Sequence, residues 1–343
     1  MESTGNCGKW KLVREIGRGA YGVVYLAKDP DGASAAVKVC VRDAADRERY
    51  EGELRGAKLY RTIQTGEGLV RMLDLGECER GFYFAMELAD DEFGAEEVSA
   101  YRPKTLAGIV AGEKALPLES ALQLGLALAD GLVTLQRHHL LHRDVKPGNV
   151  VYVHGRPVLA DPGLLEEEDE ATSLVGTPGY VPPENFTGAG GDVYSLGLTL
   201  KAASFGRSVE DLAMGPTLEA DTGDVMFPAW WRILNKATHP DAARRYRSAK
   251  ALRNDLLSLR RKQRLWKKTL GLPRFVWCLV LLLAVLIGTG AYKVKASADY
   301  STARWRRLDR YVERQKAEAE SMVEDLRRRI AADTSNMVER LNK

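Results

Sequence analysis

One short string near the middle of the chain restricts its fold more than any other feature. In the eight residues HRDVKPGN, which end at Asn149, the carboxylate of Asp144, the ammonium group of Lys146 and the Asn149 amide lie within five positions of one another. A tight loop with these groups suits holding a hydroxyl nucleophile, a phosphoryl group in transfer and a metal ion. The string Asp161-Pro-Gly begins twelve residues after Asn149, behind an apolar run at residues 157–160. This spacing predicts a second metal-binding carboxylate at the end of a strand.

A glycine-rich string lies near the N-terminus. Gly17, Gly19 and Gly22 are followed by β-type residues, and a backbone without Cβ atoms lets N–H groups approach phosphate oxygens. A dinucleotide-binding unit would continue as a helix, so the β-type residues argue against that fold. Lys38 ends an apolar strand sixteen positions past Gly22. Its ammonium group would lie under the glycines and neutralise nucleotide phosphates; a solvated strand lysine is the alternative that these residues alone leave open.

Taken together and in this order, these strings resemble the motifs of the eukaryotic-type protein kinases, and in particular of the bacterial membrane-anchored Ser/Thr kinases. The resemblance covers residues 10–258, about three quarters of the chain. It implies an α+β, bilobal fold with a small β-rich N-lobe and a larger α-helical C-lobe. The residues agree with it, because β-prone runs dominate the first part and helical periodicity begins at Leu118. The β-prone runs lie at residues 22–28, 35–41 and 82–88.

The resemblance implies a role for each polar residue of the catalytic site. Asp144 is the implied catalytic base, which orients the substrate hydroxyl, and Lys146 is the implied stabiliser of charge on the γ-phosphate. Lys38 is expected to contact the α and β phosphates and to pair with Glu53 of the following helix, with Glu51 as the fallback partner. Phosphoryl transfer asks little covalent work of a protein, so charge stabilisation by these residues and by metal ions suffices.

The nucleotide and its metal ions have implied residues of their own. The likeness implies MgATP, with Mn²⁺ as the alternative metal, and assigns the metal to Asn149 and Asp161. Apolar side chains are expected to enclose the adenine, and the hinge backbone after the gatekeeper Met86 is expected to bond its edge. The implied ATP-binding residues are Gly17, Gly19, Gly22, Val24, Ala36, Lys38, Met86, Glu87, Ala89 and Val151.

The later part of the resemblance concerns the substrate and the activation segment. Lys146 stands in the catalytic loop, and Thr177 follows in the string GTPGY at the end of the implied activation segment. This is the pattern of kinases that act on serine and threonine, so protein Ser and Thr hydroxyls are the implied substrates. A structural ion pair is expected between Glu184 and Arg245, with Arg244 as the alternative because the intervening loop carries one extra residue.

Regulation by the activation segment has three interpretations. Arg143 would bind a phosphate on Thr172 or Ser173 through charge-assisted hydrogen bonds and so order the segment. The acidic run at residues 166–170 offers a rival route, because built-in negative charge would engage the same arginine without phosphorylation. A solvated loop without a regulatory role is the third interpretation. Thr177 is grouped with these candidate regulatory residues.

The chain departs from the family pattern at two places. Pro162 stands where the family has a phenylalanine, whose ring packs under helix C against the residue that corresponds to His142. Proline fixes φ at about −65° and buries far less area, so we expect a weaker contact and a restrained segment. Residues 91–103 form an insertion between the hinge and Leu106, whose role the residues do not indicate.

A long uncharged run near the C-terminus predicts one transmembrane helix. Residues 275–292 are eighteen residues without a charge, bounded by Arg274 and Lys293. At about 1.5 Å per residue this helix is roughly 27 Å long, which is close to the thickness of a bilayer core. A soluble core helix would normally show a polar face, and here there is none. Trp277 and Tyr292 lie near the two ends, where such rings favour the membrane interface.

The flanking residues predict the orientation of the span and its partners. Residues 260–274 carry seven basic and no acidic residues, which suits anionic lipid headgroups and a cytoplasmic position. Basic residues also follow the span, so the deciding argument is that ATP is cytosolic. The kinase domain is then cytoplasmic and the tail extracytoplasmic, in a bacterial inner membrane. Residues 300–332 show a 3,4 spacing that predicts either a coiled-coil homodimer or a solitary surface helix.

These boundaries divide the chain into an N-terminal tail at residues 1–9, a protein kinase domain at 10–258, a basic juxtamembrane segment at 259–274, the transmembrane helix at 275–292 and a charged helical tail at 293–343. The net charge of +3 indicates no nucleic-acid partner. The favoured function is a membrane-anchored Ser/Thr protein kinase that acts in signalling and on its own activation segment. A nucleotide-binding pseudokinase and a membrane signalling scaffold are the alternatives. Loss of Lys38, Asp144, Asn149 or Asp161 would favour a pseudokinase, and none is lost.

Overall fold

A six-stranded antiparallel sheet with one helix forms the first part of the computed structural model. The strands are β1 Asn6–Cys7, β2 Trp10–Gly19, β3 Gly22–Lys28, β4 Ser34–Val41, β5 Met72–Cys78 and β6 Gly81–Glu87, and the helix α1, Arg47–Thr62, lies between β4 and β5 in the sequence. The strand order is β1-β2-β3-β4-β6-β5. This arrangement leaves β4 in the interior of the sheet, between β3 and β6.

The alternation of side chains along β4 explains its central position. Ala35, Val37 and Val39 are buried in an apolar cluster on one face of the sheet. Because successive side chains of a strand point to opposite faces, Ala36 and Lys38 lie on the other face, towards α1 and the helical part. One strand thus supplies both a small apolar core and a lysine that is directed away from it.

The second part is mainly helical. Its helices are α2 Leu106–Ala111, α3 Leu118–Arg137, α4 Ala189–Phe205, α5 Phe227–Ala237 and α6 Ala249–Leu270. Two short strand pairs accompany them, β7 Leu140–Leu141 with β10 Glu166–Glu167, and β8 Val150–Val153 with β9 Arg156–Leu159. The helices α3 and α4 pack together at the centre, and the short strand pairs lie at the side that faces the sheet.

The helix α3 is the apolar centre of this part. By length and composition it is the one helix among the described residues that could cross a membrane, with a mean hydropathy of 1.3, and 61% of its apolar window is buried inside the protein. Leu124, Leu128, Leu132 and Leu135 are each at most 1% exposed. The spacing of three to four residues places these leucines on one face. The burial identifies α3 as a core helix.

A buried carboxylate on α4 fixes the loop that follows β7. Asp192 is fully buried, and its two carboxylate oxygens accept the N–H groups of His142 and Arg143 at 2.8 Å each. Burial raises the pKa of Asp192, although these two N–H groups oppose the increase. Removing either hydrogen bond would leave a buried acceptor unsatisfied, which is costly. The loop with the HRDVKPGN string is therefore held rigidly on the helical core.

The structure describes residues 5–19, 22–42, 47–63, 66–94, 100–112, 114–168, 176–184, 188–209, 211, 224–270, 312–314 and 316–317. Residues 1–262 form one compact unit and residues 263–343 a second one. In the second unit the described residues are helical. The predicted transmembrane helix at 275–292 lies outside the described residues, as does most of the predicted tail helix.

The sequence-based expectation of a strand-rich first part and a helical second part is confirmed. The β-prone runs coincide with β3, β4 and β6 to within one residue at each end, and α3 begins at Leu118. The helix α6 continues to Leu270. It therefore extends past residue 258, where the sequence alone placed the end of the kinase domain.

Candidate active site

Lys38 lies at the centre of a buried cluster of charges. Its Nζ lies 3.3 Å from both carboxylate oxygens of Glu53, on α1, and 2.6 Å from Asp161 Oδ1. The side chains of Lys38 and Glu53 are each 2% exposed. Glu51, the fallback partner, pairs instead with Arg47 at the surface, with 2.7 Å between Oε1 and Nε. The structure thus brings Lys38, Glu53 and Asp161 together.

Burial and mutual charge set the ionisation of this cluster. Burial lowers the pKa of Lys38, but the carboxylates of Asp161 and Glu53 more than offset this, so the pKa lies above its ordinary value. Burial raises the pKa of Glu53 to about 7 against the attraction of Lys38, and repulsion from Asp161 adds to the increase. Lys38 is therefore a permanent cation, whereas Glu53 titrates near neutral pH.

A second cluster surrounds Asp144, in the loop between β7 and β8. Asn149 Nδ2 donates to Asp144 Oδ2 at 2.7 Å and to the Asp144 carbonyl at 2.8 Å. The Lys146 ammonium group lies 2.8 Å from Oδ2, and the Thr177 hydroxyl donates to Oδ1 at 2.6 Å. Lys146 also donates to the Thr177 hydroxyl oxygen at 2.6 Å. Both Asp144 oxygens are therefore held by donors from the loop and from the activation segment.

These donors decide the protonation state of Asp144. Burial raises the pKa of the Asp144 carboxyl, but hydrogen bonds from Lys146 and Thr177 outweigh it, so the pKa lies below its ordinary value. Asp144 is thus a carboxylate at neutral pH. Such a group can accept a hydrogen bond from a hydroxyl and orient it, while its low basicity makes early removal of the proton unfavourable.

The two clusters adjoin each other at β8 and β9. The N–H of Ala160, which precedes Asp161, donates to the Asn149 carbonyl at 2.8 Å. Asp161 has a φ of 60°, in the left-handed region that few residues other than glycine adopt. Strained backbone of this kind is found mainly at functional sites. The geometry therefore presents the side chains of Asn149 and Asp161 on neighbouring pieces of backbone.

The donors at this position fit a hard divalent cation. Asn149 supplies an amide oxygen and Asp161 a carboxylate, and Mg²⁺ prefers oxygen ligands while keeping several from phosphate and water. Among the described residues, no group of three or more His, Cys, Asp and Glu side chains could hold a metal ion by itself. The Asp161 side chain is 30% exposed, which leaves it accessible to an ion. The pair suits a metal that arrives with phosphates.

Several sequence-predicted nucleotide residues share the Lys38 face of the sheet. Val24 is the cross-strand partner of Lys38, and Ala36 is the partner of Met86. Cross-strand partners lie on the same face, as do residues two apart on one strand. Val24 and Ala36 are half-buried, as expected for the lining of an open cleft. Val151 is half-buried on β8.

The predicted glycine loop is the turn of the β2–β3 hairpin. Gly17 is paired with Val24, and Gly19 with Gly22, across the two strands. Residues 20 and 21, between the two strands in the sequence, lie outside the described residues. The hairpin therefore places the glycines at the end of the strand that bears Val24.

The hinge follows β6, and a residue that the sequence did not single out contacts it. Glu87 is held by Arg71, with 2.9 Å between Oε1 and Nε. The hydroxyl of Tyr101 donates to the Ala89 carbonyl at 3.0 Å. Tyr101 belongs to the insertion at residues 91–103, whose composition contains no signal of this contact beyond the presence of an aromatic residue.

Arg143 is bound by an acidic side chain of the activation segment. Its guanidinium group contacts the carboxylate of Glu166 on β10. Arg55 of α1 lies 3.5 Å from the other oxygen of Glu166. Glu166 belongs to the acidic run that sequence analysis offered as a rival to phosphorylation. Thr172 and Ser173 lie outside the described residues, and Thr177 contacts Asp144 rather than Arg143.

The segment with Pro162 lies directly against the backbone of α1. A Cβ atom added at Gly56 would lie 2.7 Å from the Pro162 carbonyl oxygen, and one at Gly163 would collide with the carboxylate of Glu53. Pro162 and Gly163 are both buried. Close approach of two glycines thus replaces the aromatic contact that the family pattern would supply. Sequence analysis identified Pro162 but missed Gly56.

The expected structural ion pair of Glu184 forms with Arg245, the arginine that was favoured over Arg244. Arg245 binds Glu184 in a bidentate manner, at 2.6 and 3.0 Å, and Arg245 is 4% exposed. Burial raises the pKa of Glu184, but the hydrogen bonds from Arg245 outweigh it, so the pKa is below its ordinary value. Such a pair ties the end of the activation segment to the helical part.

A groove of about 890 Å³ opens beside the catalytic loop. Lys146 and Gly148 of the catalytic loop line it, together with Tyr180 of the activation segment. Phe205, the last residue of α4, and Arg207 after it are further lining residues. The ammonium group of Lys146, which contacts Asp144, therefore belongs to a residue of the groove.

Comparisons with known proteins agree with this geometry. The family model described as the protein kinase domain matches residues 10–270. Serine/threonine-protein kinase PknK of Mycobacterium tuberculosis is 33% identical over 214 residues, which are 59% of this chain and 18% of PknK. Serine/threonine-protein kinase AfsK of Streptomyces griseus is 29% identical over 260 residues, 68% of this chain and 30% of AfsK. The chain thus spans less than a third of these relatives.

A solved structure gives the same result for the fold. The PknI kinase domain of Mycobacterium tuberculosis superimposes with a TM-score of 0.58 and 25% sequence identity, and the match covers 76% of this chain and 98% of that domain. The family match at residues 10–270 includes both charged clusters described above. The chain belongs to the protein kinase family.

Proposed function

We propose that the chain is a membrane-anchored Ser/Thr protein kinase that transfers the γ-phosphoryl group of MgATP to protein hydroxyls, those of its own activation segment included. The observation that supports this most is the convergence of Lys38, Asp144, Asn149 and Asp161. Lys38 Nζ lies 2.6 Å from Asp161 Oδ1, and Asn149 Nδ2 lies 2.7 Å from Asp144 Oδ2. A pseudokinase or a scaffold has no need of this arrangement.

In the proposed reaction the side chains bind, orient and stabilise charge. Lys38 holds the α and β phosphates with a permanent positive charge in a nearly dry site, where Coulombic attraction is strong. Asp144 accepts a hydrogen bond from the substrate hydroxyl and directs its oxygen at the γ-phosphorus. Lys146, 2.8 Å from Asp144, stabilises the charge on the transferred group. The new P–O bond forms as the bond to the β–γ bridging oxygen breaks, ADP leaves, and the proton of the acceptor hydroxyl passes to the Asp144 carboxylate.

Asn149 and Asp161 are the residues that would hold Mg²⁺. When bound, the ion neutralises phosphate charge and orients the leaving group. Lys38 contacts Asp161 as well as Glu53, so the same lysine would position both the phosphates and a metal-binding carboxylate. This shared contact explains why the cluster tolerates three charges in a buried place.

The groove beside Lys146 is the proposed place for the polypeptide acceptor. One of its lining residues, Lys146, contacts Asp144, and its aromatic residues Tyr180 and Phe205 offer apolar contact to an extended peptide. The Thr177 hydroxyl, bonded to Asp144 and Lys146, stands where the acceptor hydroxyl would have to arrive. We therefore expect Thr177 to be displaced or to realign when a substrate binds.

Membrane anchoring is the second component of the proposal. It is supported by the uncharged run at residues 275–292 and by the basic residues before it. The kinase domain would then face the cytoplasm and the tail the opposite side of a bacterial inner membrane. The 3,4 spacing at residues 300–332 supports a homodimer through the tail, which would raise the local concentration of one domain near another. A monomer by light scattering of the full chain in detergent would contradict the dimer.

The activity is tested with the purified full chain in detergent, Mg²⁺ and ATP labelled on its γ-phosphate. We expect phosphoserine or phosphothreonine to form on a general protein acceptor and on the chain itself. Asp144→Asn should reduce labelling at least about a hundredfold, because it removes the group that orients the hydroxyl. Nucleotide affinity should change little, since Asp144 does not contact the nucleotide in this proposal.

The matched control is Asp31→Asn, in the exposed turn between β3 and β4. This variant loses a carboxylate from the same chain without touching either cluster, so it should label like the natural sequence. Equal labelling by Asp144→Asn and Asp31→Asn would overturn the assignment of Asp144. Absence of nucleotide binding by the natural sequence would overturn the proposed function.

A further inference from the structure

The insertion at residues 91–103 has a well-formed base. Asp91 and Pro103 form an antiparallel bridge, and the Glu92 N–H donates to the Arg102 carbonyl at 2.8 Å. The Arg102 N–H donates to Asp91 Oδ1 at 2.7 Å. The two ends of the insertion therefore run side by side immediately after the hinge. This base fixes the position of Tyr101, which directly precedes Arg102 in the chain.

The base is also attached to the strand pair β8–β9. The Asp90 N–H donates to the Tyr152 carbonyl at 2.7 Å, and the Lys104 N–H donates to the Asp90 carbonyl at 2.8 Å. The Asp90 carboxylate accepts the N–H groups of His154 and Gly155 at 2.7 Å each. Three of these four hydrogen bonds join Asp90 to the β8–β9 hairpin, which carries Val151, and the fourth joins it to Lys104 after the insertion. The position of the insertion relative to the helical part is thus well defined.

Tyr101 uses this fixed position to contact two separate parts of the cleft. Its side-chain hydroxyl donates to the Ala89 carbonyl in the hinge at 3.0 Å. Its own backbone carbonyl accepts a hydrogen bond from the guanidinium group of Arg14 on β2. Tyr101 is 8% exposed, so both contacts are largely shielded from water. One residue therefore connects β2 with the hinge.

The strand at the far end of this connection leads into the glycine loop. Arg14 lies three residues before Gly17 on β2, and β2 continues to Gly19. A nucleotide in the cleft would contact the hinge with its base and the glycine loop with its phosphates. The distance between these two regions must match the length of the nucleotide, because a cleft already fixed at that length loses little conformational freedom on binding.

We propose that Tyr101 is a positioning residue for the nucleotide, and that the chain of contacts Arg14–Tyr101–Ala89 fixes the glycine-loop strand relative to the hinge. This inference rests on the proposed function, since it concerns the same nucleotide cleft. Tyr101 acts on the nucleotide through the hinge and β2 and does not touch it. The insertion thereby has a role that its sequence did not indicate.

The test compares Tyr101→Phe with the natural full chain in direct binding of Mg²⁺ and a fluorescent ATP analogue. The variant keeps the ring and loses only the hydroxyl that bonds to Ala89. We expect the dissociation constant, and the KM for ATP, to rise about fivefold, which corresponds to one neutral hydrogen bond. The kcat at saturating ATP and the KM for the protein substrate should stay within about twofold of the natural values, a split that a general loss of structure would not produce.

The matched control is Tyr152→Phe, which removes a hydroxyl from a half-buried tyrosine of the neighbouring β8. The Tyr152 ring centroid lies 5.4 Å from the Lys104 ammonium group, and the hydrogen bonds of Tyr152 to Asp90 and Lys104 are made by its backbone, which the substitution keeps. Tyr152→Phe should bind the nucleotide like the natural sequence. Equal weakening by both substitutions would overturn the inference, because a general effect of losing a buried hydroxyl would then explain it.

A second variant, Arg14→Met, cuts the same connection at its other end. If Tyr101 transmits the constraint, the double variant should bind no more weakly than either single variant, because one break already releases β2. Effects that multiply would show two independent contacts and overturn the inference. If the natural chain binds the nucleotide and both single variants bind it with the same affinity as the natural chain, the inference is overturned and the proposed function stays intact. A natural chain that binds no nucleotide would overturn both.

Discussion

At the scale of single residues, Glu53 is a buried carboxyl group whose pKa has been moved close to neutral pH. Its carboxylate is almost fully buried and lies 3.3 Å from the Lys38 ammonium group. Burial has raised its pKa to about 7. As the pH falls through this value the carboxyl becomes protonated, and its attraction for Lys38 is lost. Above it, the carboxylate holds the lysine in place.

We therefore predict that kcat/KM for ATP falls about tenfold per pH unit below about pH 7 and is level above it, since kcat/KM reports the ionisation of the free enzyme. The measurement is a pH profile of phosphoryl transfer with subsaturating ATP. Glu53→Gln should be weakly active at every pH measured, and its kcat/KM should not fall below about pH 7 in the way that the natural chain's does. Glu51→Gln, whose carboxylate pairs with Arg47 at the surface, should keep the natural profile. If kcat/KM of Glu53→Gln falls below about pH 7 as it does for the natural chain, the ionisation belongs to another group.

Glu166 is the second residue with a specific expected effect. Its carboxylate lies between the buried Arg143 and Arg55 of α1. It therefore supplies at Arg143 the negative charge that a phosphate on Thr172 or Ser173 would supply. We predict that phosphatase treatment leaves the activity of the natural chain within about twofold, because Arg143 already has an acidic partner.

Glu166→Gln should lower this activity about tenfold or more, which corresponds to the loss of a hydrogen bond between charged groups. Glu167→Gln is the matched control, because Glu167 is the exposed neighbour on the same short strand β10. It should be as active as the natural chain. Loss of activity on phosphatase treatment alone would show that phosphorylation of the segment is required.

At the scale of elements, α1 is positioned by contact of backbone with backbone. Gly56 faces the carbonyl groups of Pro162 and Gly163, whereas a Cβ at Gly52, one turn earlier, would meet nothing within 4 Å. The helix can therefore approach the Asp161 segment closely enough for Glu53 to reach Lys38. This is how the site compensates for the absence of a large aromatic side chain at position 162.

We predict that Gly56→Ala destabilises the protein by about 1–3 kcal/mol, as expected for overpacking, and lowers activity because α1 carries Glu53 away from Lys38. Gly52→Ala should be neutral or stabilise by up to about 1 kcal/mol, since alanine favours a helix more than glycine does. Thermal unfolding and phosphoryl transfer of the two variants measure both effects. Equal unfolding temperatures would contradict the close contact.

Part of the candidate site could be predicted from the sequence alone. Lys38, Asp144, Asn149 and Asp161 could be predicted because each belongs to a short string with a fixed spacing. Glu53 remained a choice between two acidic residues, which the structure resolves because residues two apart on a helix point in different directions. The order of a strand-rich part and a helical part could be predicted from periodicity, since these patterns are local, whereas the bilobal kinase fold was implied by the family resemblance.

Other parts of the site depend on contacts between distant segments and could not be predicted in this way. The partner of Arg143 was one of several acidic residues in a row, and only the pairing of β10 with β7 places Glu166 beside it. Tyr101 contacts the hinge because the base of the insertion is bonded to β8–β9. Gly56 is a common helix residue until its neighbour Pro162 is known. No local pattern distinguishes these residues.

At the scale of the whole molecule, the expected membrane attachment has two separable components. A spanning helix at residues 275–292 would be insensitive to salt, because it rests on apolar burial. The exposed basic residues Arg261, Lys262 and Arg264 near the end of α6 would instead attract anionic lipids with about 1 kcal/mol each, an attraction that salt screens. Salt dependence therefore distinguishes the two components.

We predict that the full chain stays in the membrane pellet after washes with high salt and with alkaline carbonate. A chain that ends at residue 270 should bind anionic vesicles only at low salt, and substitution of Arg261, Lys262 and Arg264 by Gln should weaken that binding about a hundredfold, since each basic residue contributes about 1 kcal/mol. In spheroplasts, external protease should remove the tail at residues 293–343 and leave the kinase domain intact, because that domain needs cytosolic ATP. Release of the full chain by salt alone would exclude a spanning helix, and digestion of the kinase domain from outside would reverse the predicted orientation.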